Sequence, residues 1–234
     1  MGVKMKLEII NVKKRFGKNQ VLRDINLTVE QGECIGILGA NGSGKSTLLT
    51  ILAGILKAGG GEILLNGESL FKNPSLRSKV VGYVPQGTPL IEELTAYDNL
   101  LLWYDKKDLK RELKVGILKL LGIDEFIKLP VKKMSGGMKK RLSIGCAVAK
   151  KPPILLLDEP TAALDLACKR DIAQYLKNYK SQGGILFLTT HDPLELGLCD
   201  RLYIIKNGVL NPFEFNGILR STLKTINPKA EFYF

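Results

Sequence analysis

One glycine-rich segment of the chain has residue types and a spacing suited to holding a polyphosphate. It reads Gly39, Ala40, Asn41, Gly42, Ser43, Gly44, Lys45, Ser46 and Thr47. Glycines let backbone N–H groups approach phosphate oxygens, and the N-terminus of a following helix adds unpaired donors and a favourable dipole. Lys45 supplies a positive charge for the β and γ phosphates, and the hydroxyl of Ser46 can ligate Mg²⁺. An ordinary glycine-rich turn does not explain Lys-Ser directly after the last glycine.

Four polar residues follow apolar runs that have the composition of buried strands. Asp158 and Glu159 come directly after such a run, Gln86 follows another through Pro85, and His191 follows a third. Open α/β sheets bind ligands at the carboxyl ends of their strands, where adjacent carboxylates are costly unless they serve a metal or a water. We therefore expect a ligand site at Asp158 and Glu159. Gln86 is equally a metal ligand, a water ligand or a turn residue, and a lone histidine is usually structural.

Two weaker signals complete the set of candidate site residues. Ser135, Gly136 and Gly137 open a helix predicted over 138–150, and the glycines expose its terminal N–H groups. This is a second site suited to phosphate, although a merely capped helix needs only one of those glycines. Phe16 precedes Gly17 in a predicted loop, where an aromatic ring suits stacking on a base and equally suits a plain turn.

The strands that must position these residues are predicted from the spacing of apolar residues. They cover 5–12, 25–30, 34–38, 62–65, 80–84, 154–157, 185–190 and 202–205. Asn66-Gly67 and Asn207-Gly208 predict tight hairpin turns. The run 154–157 is continuously apolar, as expected of a strand buried on both faces.

The helices are predicted from periodicity and from capping residues. The helix after the glycine-rich segment is expected to end at Gly59 to Gly61. A helical region is expected over 88–151, with a capping box at Thr95 and Asp98 and one helical face over 109–121. Another helix is expected over 165–180, and residues 211–234 are expected to be irregular.

The composition limits the classes of protein that remain open. The 234 residues are 45% hydrophobic, and no apolar run approaches the ~20 residues of a membrane span. The N-terminus lacks an apolar signal region and a lipidation pattern, so we expect a cytosolic chain. With four scattered cysteines and one histidine, a zinc site is not expected. The net charge of +12 is spread over scattered lysines, and the basic cluster over 132–141 lacks aromatic residues, so no nucleic-acid partner is expected.

In this order the motifs resemble those of the ATP-binding-cassette (ABC) ATPases, over roughly residues 5–210. The matches are Phe16 to the adenine-stacking aromatic, Gly39 to Ser46 to Walker A, Gln86 to the Q-loop, Met134 to Met138 to the signature, Ile154 to Glu159 to Walker B with the catalytic glutamate, Ala162 to Asp165 to the D-loop, and His191 to the switch histidine. Met134 and Met138 replace the usual Leu and Gln, and Ala162 replaces a common Ser. We do not interpret these departures as inactivation.

The resemblance implies an α/β fold: a P-loop NTPase (RecA-like) core, an antiparallel β subdomain and an inserted helical subdomain. The ABC ATPase domain would cover residues 1–210, with the helical subdomain at about 88–151 and a short C-terminal extension at 211–234. It also implies ATP and Mg²⁺ as cofactors. Two cassettes would pack head to tail, as a homodimer or heterodimer, on a separate transmembrane permease at the cytoplasmic face of the cell membrane.

The resemblance further implies a role for each site residue. Mg²⁺ would be held by Ser46, with Gln86 and Asp158 in support. Glu159 would polarise the attacking water, and Lys45 and His191 would contact the phosphates. Ser135, Gly136 and Gly137 would cap the γ-phosphate of the partner's ATP.

The sequence of residues 92–100 resembles the corresponding segment in cassettes of ABC-2-type exporters, so an exporter is the favoured interpretation. Two alternatives remain: a soluble ABC-type ATPase acting on ribosomes or nucleic acid, and a non-hydrolysing regulatory cassette. Proteins of the first class usually carry two cassettes in one chain or a long coiled-coil insertion, and this sequence shows neither. The second alternative conflicts with an intact Glu159 and His191.

Overall fold

The structure, a computed structural model, describes residues 4–162 and 164–214. The strands in these ranges are β1 (Lys6–Phe16), β2 (Asn19–Glu30), β3 (Cys34–Leu38), β4 (Gly60–Leu65), β5 (Glu68–Ser69), β6 (Val81–Val84), β7 (Ile154–Asp158), β8 (Ile185–Thr189), β9 (Arg201–Lys206) and β10 (Val209–Phe213). The α-helices are α1 (Lys45–Leu52), α2 (Pro74–Val80), α3 (Ala96–Leu101), α4 (Lys106–Val115), α5 (Ile117–Leu120), α6 (Gly136–Ala147), α7 (Leu166–Ser181) and α8 (Pro193–Leu196). The predicted strands are confirmed, and β1 and β2 extend further than expected.

The strands form two sheets, one mainly parallel and one antiparallel. A six-stranded sheet has the order β10-β9-β3-β8-β7-β6, in which β9 through β6 are paired in parallel and β10 is antiparallel to β9. A four-stranded antiparallel sheet has the order β2-β1-β4-β5. The parallel strands bring the carboxyl ends of β3, β6, β7 and β8 to one edge, which is where ligands bind in such sheets.

The two hairpins predicted from Asn-Gly pairs are confirmed. Asn66 and Gly67 join β4 to β5 with φ of 51° and 84°, and Asn207 and Gly208 join β9 to β10 with φ of 53° and 77°. Two successive residues with positive φ are what a tight hairpin turn of this kind requires, and Asn and Gly adopt that conformation at little cost.

The core lies on both faces of the six-stranded sheet. Strand β7 illustrates this arrangement, since Ile154 and Leu156 join the cluster that packs against the antiparallel sheet and α1. Leu155 and Leu157 point the other way and join the cluster that contains α6 and α7. All five residues of β7 are buried, so the continuous apolar run is explained by burial on two faces.

A helical region is confirmed between β6 and β7, and it includes short 3-10 turns at Ile123–Phe126 and Val131–Lys133. The capping box is also confirmed: the Thr95 hydroxyl accepts a hydrogen bond from the Asp98 N–H, and the Asp98 carboxylate accepts one from the Thr95 N–H. No helix among the described residues is long and apolar enough to cross a membrane.

Four local expectations are wrong. Helix α1 ends at Leu52 rather than at the three glycines, and Gly60 and Gly61 belong to β4. The helical face over 109–121 is divided at Gly116 into α4 and α5. Helix α6 starts at Gly136, two residues early, and ends at Ala147. Residues 211–213 are not irregular, because β10 extends to Phe213.

Residues 215–234 of the expected C-terminal extension and Ala163 of the expected D-loop lie outside the described residues.

Candidate functional site

The glycine-rich segment connects β3 to α1, as predicted, and its lysine is buried. Lys45 is 7% exposed, and its Nζ donates hydrogen bonds of 2.7 Å to the Gly39 carbonyl and 3.2 Å to the Ala40 carbonyl. The ammonium therefore lies inside the curve of the loop. Burial lowers the pKa of Lys45, and the charges of Glu159 and Asp158 oppose that shift.

Glycine is required at Gly44 for two reasons. This N-cap residue of α1 has φ of 110°, a left-handed conformation that side chains disfavour. A Cβ at this position would lie 2.9 Å from Leu22 Cδ2 and 3.0 Å from Val21 Cγ1, so the loop packs tightly on β2. Both constraints hold the backbone of the loop in its observed turn at the start of α1.

The remaining loop residues present polar groups at its surface. Asn41, Gly42 and Ser46 are exposed, whereas Ser43 and Thr47 are half-buried. The Ser43 Oγ is one of the few buried side-chain atoms without a hydrogen-bond partner among the described residues. A buried donor in a loop of this kind is suited to a ligand oxygen.

The two carboxylates at the end of β7 have different surroundings. Asp158 is buried and accepts a hydrogen bond from the hydroxyl of Thr189, its partner in the pairing of β7 with β8. Glu159 is half-buried and has φ of 48°, and its N–H donates to the Thr189 carbonyl at 2.9 Å. This turn of the backbone sends adjacent side chains in different directions.

Gln86 meets Glu159 across the ends of two neighbouring strands. Its Nε2 donates a hydrogen bond of 3.0 Å to Oε2 of Glu159. The alternative that Gln86 is only a turn residue does not explain this contact, because the amide reaches the carboxylate that sequence reasoning selected on separate grounds.

His191 follows β8 and lies beside the same group. Burial lowers its pKa, the charge of Lys45 lowers it further, and the charge of Glu159 opposes both. Its Nδ1 is buried without a hydrogen-bond partner within the described residues. Together with Glu159, the ring lines a cavity of about 320 Å³. Because the pKa of His191 is lowered from its ordinary value of 6.5, the imidazole is neutral at neutral pH.

The structure thus brings Lys45, Gln86, Asp158, Glu159 and His191 together at one sheet edge. Two further candidates are not part of this group. Phe16 ends β1, is 48% exposed, and has the Lys14 Nζ 5.1 Å from its ring centroid.

Ser135 caps α6, accepting a hydrogen bond of 3.2 Å from the Met138 N–H. Ser135 and Gly136 are exposed, and a Cβ on Gly136 would meet nothing within 4 Å. Across the part of the chain that the structure describes, no hydrogen bond joins Ser135, Gly136 or Gly137 to the loop over 39–47. Ser135 and Gly136 are therefore open to solvent and not bound to their own chain's glycine-rich loop, and we call this the outward-facing start of α6.

Sequence reasoning missed Thr189, Lys140 and Glu195. Thr189 could have been found as a polar residue ending the strand beside β7. Glu195 is 2% exposed, and Lys140 is 4% exposed although it lies in a run of basic residues. No sequence signal separates a buried lysine from solvated neighbours in such a run.

The oxygen donors of this site suit Mg²⁺, since the hydroxyl of Ser46, the amide of Gln86 and the carboxylate of Asp158 are hard ligands. No group of three or more His, Cys, Asp or Glu side chains among the described residues could hold a metal ion by itself. Mg²⁺ in proteins is usually bound by one or two carboxylates together with substrate phosphates and waters.

Comparison with known proteins gives consistent results. The family described as "ABC transporter" matches residues 22–162. Linearmycin resistance ATP-binding protein LnrL of Bacillus subtilis is 33% identical over 207 residues, which are 86% of this chain and 67% of that protein. Nod factor export ATP-binding protein I of Sinorhizobium fredii is 37% identical, over 86% of this chain and 60% of that protein. Spermidine/putrescine import ATP-binding protein PotA of Spiroplasma citri is 36% identical, over 87% and 60%.

A solved structure has the same fold. It is the dimeric, post-hydrolysis state of the ATP-binding cassette MJ0796 bound to ADP and Pi, with a TM-score of 0.80 and 29% identity. The similarity covers 91% of this chain and all of that one. The predicted fold class, a P-loop NTPase core with an antiparallel β subdomain and helices, is confirmed. Because the family match also spans more than half of its residues, the chain belongs to the ABC transporter family, as an ATP-binding and ATP-hydrolysing cassette.

Proposed function

We propose that this chain is the ATPase subunit of an exporter, that it drives a separate transmembrane permease, and that it works as one of two cassettes at the cytoplasmic face of the membrane. The observation that supports hydrolysis best is that the ammonium of Lys45, held in the loop by the Gly39 and Ala40 carbonyls, lies near enough to Glu159 and Asp158 for their charges to act on it. Hydrolysis requires a general base and a metal ligand close to the loop that binds the phosphates.

The residues of this edge have separate roles in the proposed reaction. The N–H groups of Gly39 to Thr47 and the ammonium of Lys45 bind the β and γ phosphates, and Lys45 leaves its carbonyl acceptors to do so. Glu159 accepts a hydrogen bond from the attacking water and orients it in line with the γ-phosphorus. Catalysis of this kind consists mostly of positioning and charge stabilisation.

A histidine, a metal ion and an aromatic ring complete the proposed site. The His191 ring, uncharged at neutral pH because burial and Lys45 lower its pKa, donates a hydrogen bond to a γ-phosphate oxygen. Ser46, Gln86 and Asp158 would hold Mg²⁺, which when bound would offset negative charge on the phosphate oxygens. The exposed ring of Phe16 stacks on the adenine base.

The outward-facing start of α6 supports a site shared between two chains. Among the described residues, the N–H groups of this helix start, at Ser135, Gly136 and Gly137, donate no hydrogen bond to the glycine-rich loop of their own chain. In the proposed dimer they cap the γ-phosphate of the ATP on the partner's loop. The dimeric state of the similar MJ0796 structure supports this arrangement.

The direction of transport is proposed from the relatives and from residues 92–100. One relative is named for export and one for resistance, although a third is named for import. None of these three names refers to ribosomes or nucleic acid, so the soluble alternative is not pursued.

The test is capture of a tagged chain from detergent-solubilised membranes, followed by reconstitution of the complex with cassettes outside the vesicles. We expect an integral membrane protein in fixed ratio, Mg-ATP hydrolysis, and ATP-dependent uptake of substrate into the lumen. Recovery with ribosomes instead of membranes contradicts the permease. Release of substrate preloaded in the lumen would indicate import.

A further inference from the structure

A buried lysine connects α6 to the two strand ends that carry Gln86 and Glu159. Lys140 is 4% exposed. Its Nζ donates to three backbone carbonyls: that of Pro85 at 2.7 Å, that of Gln86 at 3.3 Å and that of Asp158 at 3.3 Å. An ammonium has three donors, so these carbonyls account for all of them.

The ammonium is not held as a simple ion pair. Within 4–162 and 164–214 it forms no salt bridge, although Asp158, Glu159 and Glu195 are near enough to raise its pKa against the lowering effect of burial. A buried charge is costly unless hydrogen bonds replace its water. The carbonyl contacts are therefore what makes this position tolerable for a lysine.

The three carbonyls belong to two segments that end neighbouring strands. Pro85 and Gln86 follow β6, and Asp158 ends β7 directly before Glu159. The side chains carried by these segments meet in the 3.0 Å hydrogen bond between Gln86 and Glu159. Lys140 thus joins, through the backbone, the two residues whose side chains are in contact.

The outward-facing Ser135 caps the start of the same helix, close to Lys140. Lys140 lies on the second turn of α6, so the residue that holds the two strand ends and the start of the helix belong to one short stretch of helix. Among the described residues, the neighbouring Lys139 is paired instead with Glu92 at 2.8 Å.

We propose that Lys140 is a positioning residue, which fixes Gln86 and Glu159 relative to each other and couples them to the helix that contacts the partner's nucleotide. This inference rests on the proposed function. Lys140 does not touch ATP, so its loss acts on turnover through the geometry of Glu159 and leaves nucleotide binding to the glycine-rich loop.

The experiment compares Lys140→Met, Lys140→Arg and the matched control Lys139→Met in the full chain, assembled with its permease. We expect Lys140→Met to lower kcat by about 10- to 100-fold, the loss typical of a displaced catalytic group, with KM changed less than about threefold. Lys140→Arg keeps several donors and should recover most of kcat. Lys139→Met should behave as the wild type.

Hydrogen exchange of the nucleotide-free chain tests the positioning directly. Lys140→Met should speed exchange of the amides over 86–90 and of Glu159, and Lys139→Met should not. If Lys140→Met does not fold, Lys140→Gln, which keeps one amide donor, should give a smaller change in the same direction in both measurements.

The inference is overturned by unchanged kcat with unchanged exchange, or by a parallel loss of kcat and affinity that Lys140→Arg fails to recover. These outcomes differ from failure of the proposed function, in which the wild-type chain itself does not bind ATP. If the wild type binds ATP but is inactive in the assay, the exchange measurement decides alone.

Discussion

The side-chain amide of Gln86 donates a hydrogen bond of 3.0 Å to the carboxylate of Glu159, although the two residues are 73 positions apart in the sequence. They meet because β6 and β7 are paired in parallel, so their carboxyl ends lie side by side. The amide holds one oxygen of Glu159 at the edge of the sheet. The position of the base therefore depends on a residue outside its own strand.

We predict that Gln86→Ala lowers kcat about tenfold or more, because Glu159 loses the group that orients it. ATP affinity should change little, since the glycine-rich loop is intact. Steady-state ATPase and nucleotide titration check both expectations. Gln174→Ala, which removes an exposed glutamine on α7, is the control. Equal losses in the two variants contradict the prediction.

Lys45→Ala should weaken ATP binding by about 10- to 100-fold, because hydrogen bonds to charged groups contribute about 1.5–3 kcal/mol. The variant removes the only positive side chain of the loop. Titration with a fluorescent nucleotide measures the effect, with the exposed Lys72→Ala as a control. Unchanged affinity would show that the loop does not bind phosphates through this ammonium.

The outward-facing start of α6 predicts that ATPase activity rises more than linearly with protein concentration. In the proposed dimer each site needs Ser135 to Gly137 of a second chain, so we expect the active species to be a dimer formed with ATP. Activity measured over a hundredfold dilution series, beside light scattering in ATP, tests this. Strictly linear activity from a monomer contradicts the shared site. No activity at any concentration indicates a different partner cassette.

Burial of Glu195 predicts a pH-dependent stability. Its pKa is raised from 4.5 to about 6, mainly by burial, with Asp192 adding to the shift and Thr190, Thr161 and Lys169 opposing it. Since the folded pKa is the higher one, the contribution of Glu195 to stability is present below pH 4.5 and is lost as pH rises through about 6.

Glu195→Gln does not titrate, so its free energy of unfolding relative to the wild type should rise by about 2 kcal/mol between pH 4.5 and pH 7.5. Urea denaturation at both pH values measures this difference. His191, whose lowered pKa destabilises the folded state on acidification, is present in both proteins and cancels. A difference independent of pH would contradict the assignment.

The sequence could supply candidate site residues because most of them follow a buried strand or open a helix. It failed where the outcome depends on a neighbour. An irregular segment is expected from residue 211, but β10 extends through Pro212 because β10 is an edge strand of its sheet, where proline is tolerated. The face over 109–121 keeps its apolar spacing across Gly116, so periodicity could not show the break. The run of basic residues around Lys140 predicts a solvated side chain, because only the tertiary structure reveals the three backbone carbonyls that accept hydrogen bonds from its ammonium.

Glu159 provides the most direct test of the proposed reaction. The backbone turn at φ of 48° separates its side chain from that of Asp158, so one carboxylate can serve Mg²⁺ and the other the water. Glu159→Gln keeps the size and removes the charge. Loss of a positioned general base costs about 10²–10⁴ in rate, so we expect single-turnover hydrolysis to slow by that factor.

ATP binding should survive in Glu159→Gln, because Gly39 to Thr47 and Asp158 are unchanged. ATP then remains intact between two chains and holds them together. Size-exclusion chromatography with Mg-ATP should therefore show a dimer for the variant, whereas the wild type hydrolyses its ATP and dissociates. Hydrolysis at the wild-type rate would exclude Glu159 as the base. Slow hydrolysis without a dimer would leave Glu159 as the base and exclude self-association, which would direct the search to a heterodimer with a different cassette.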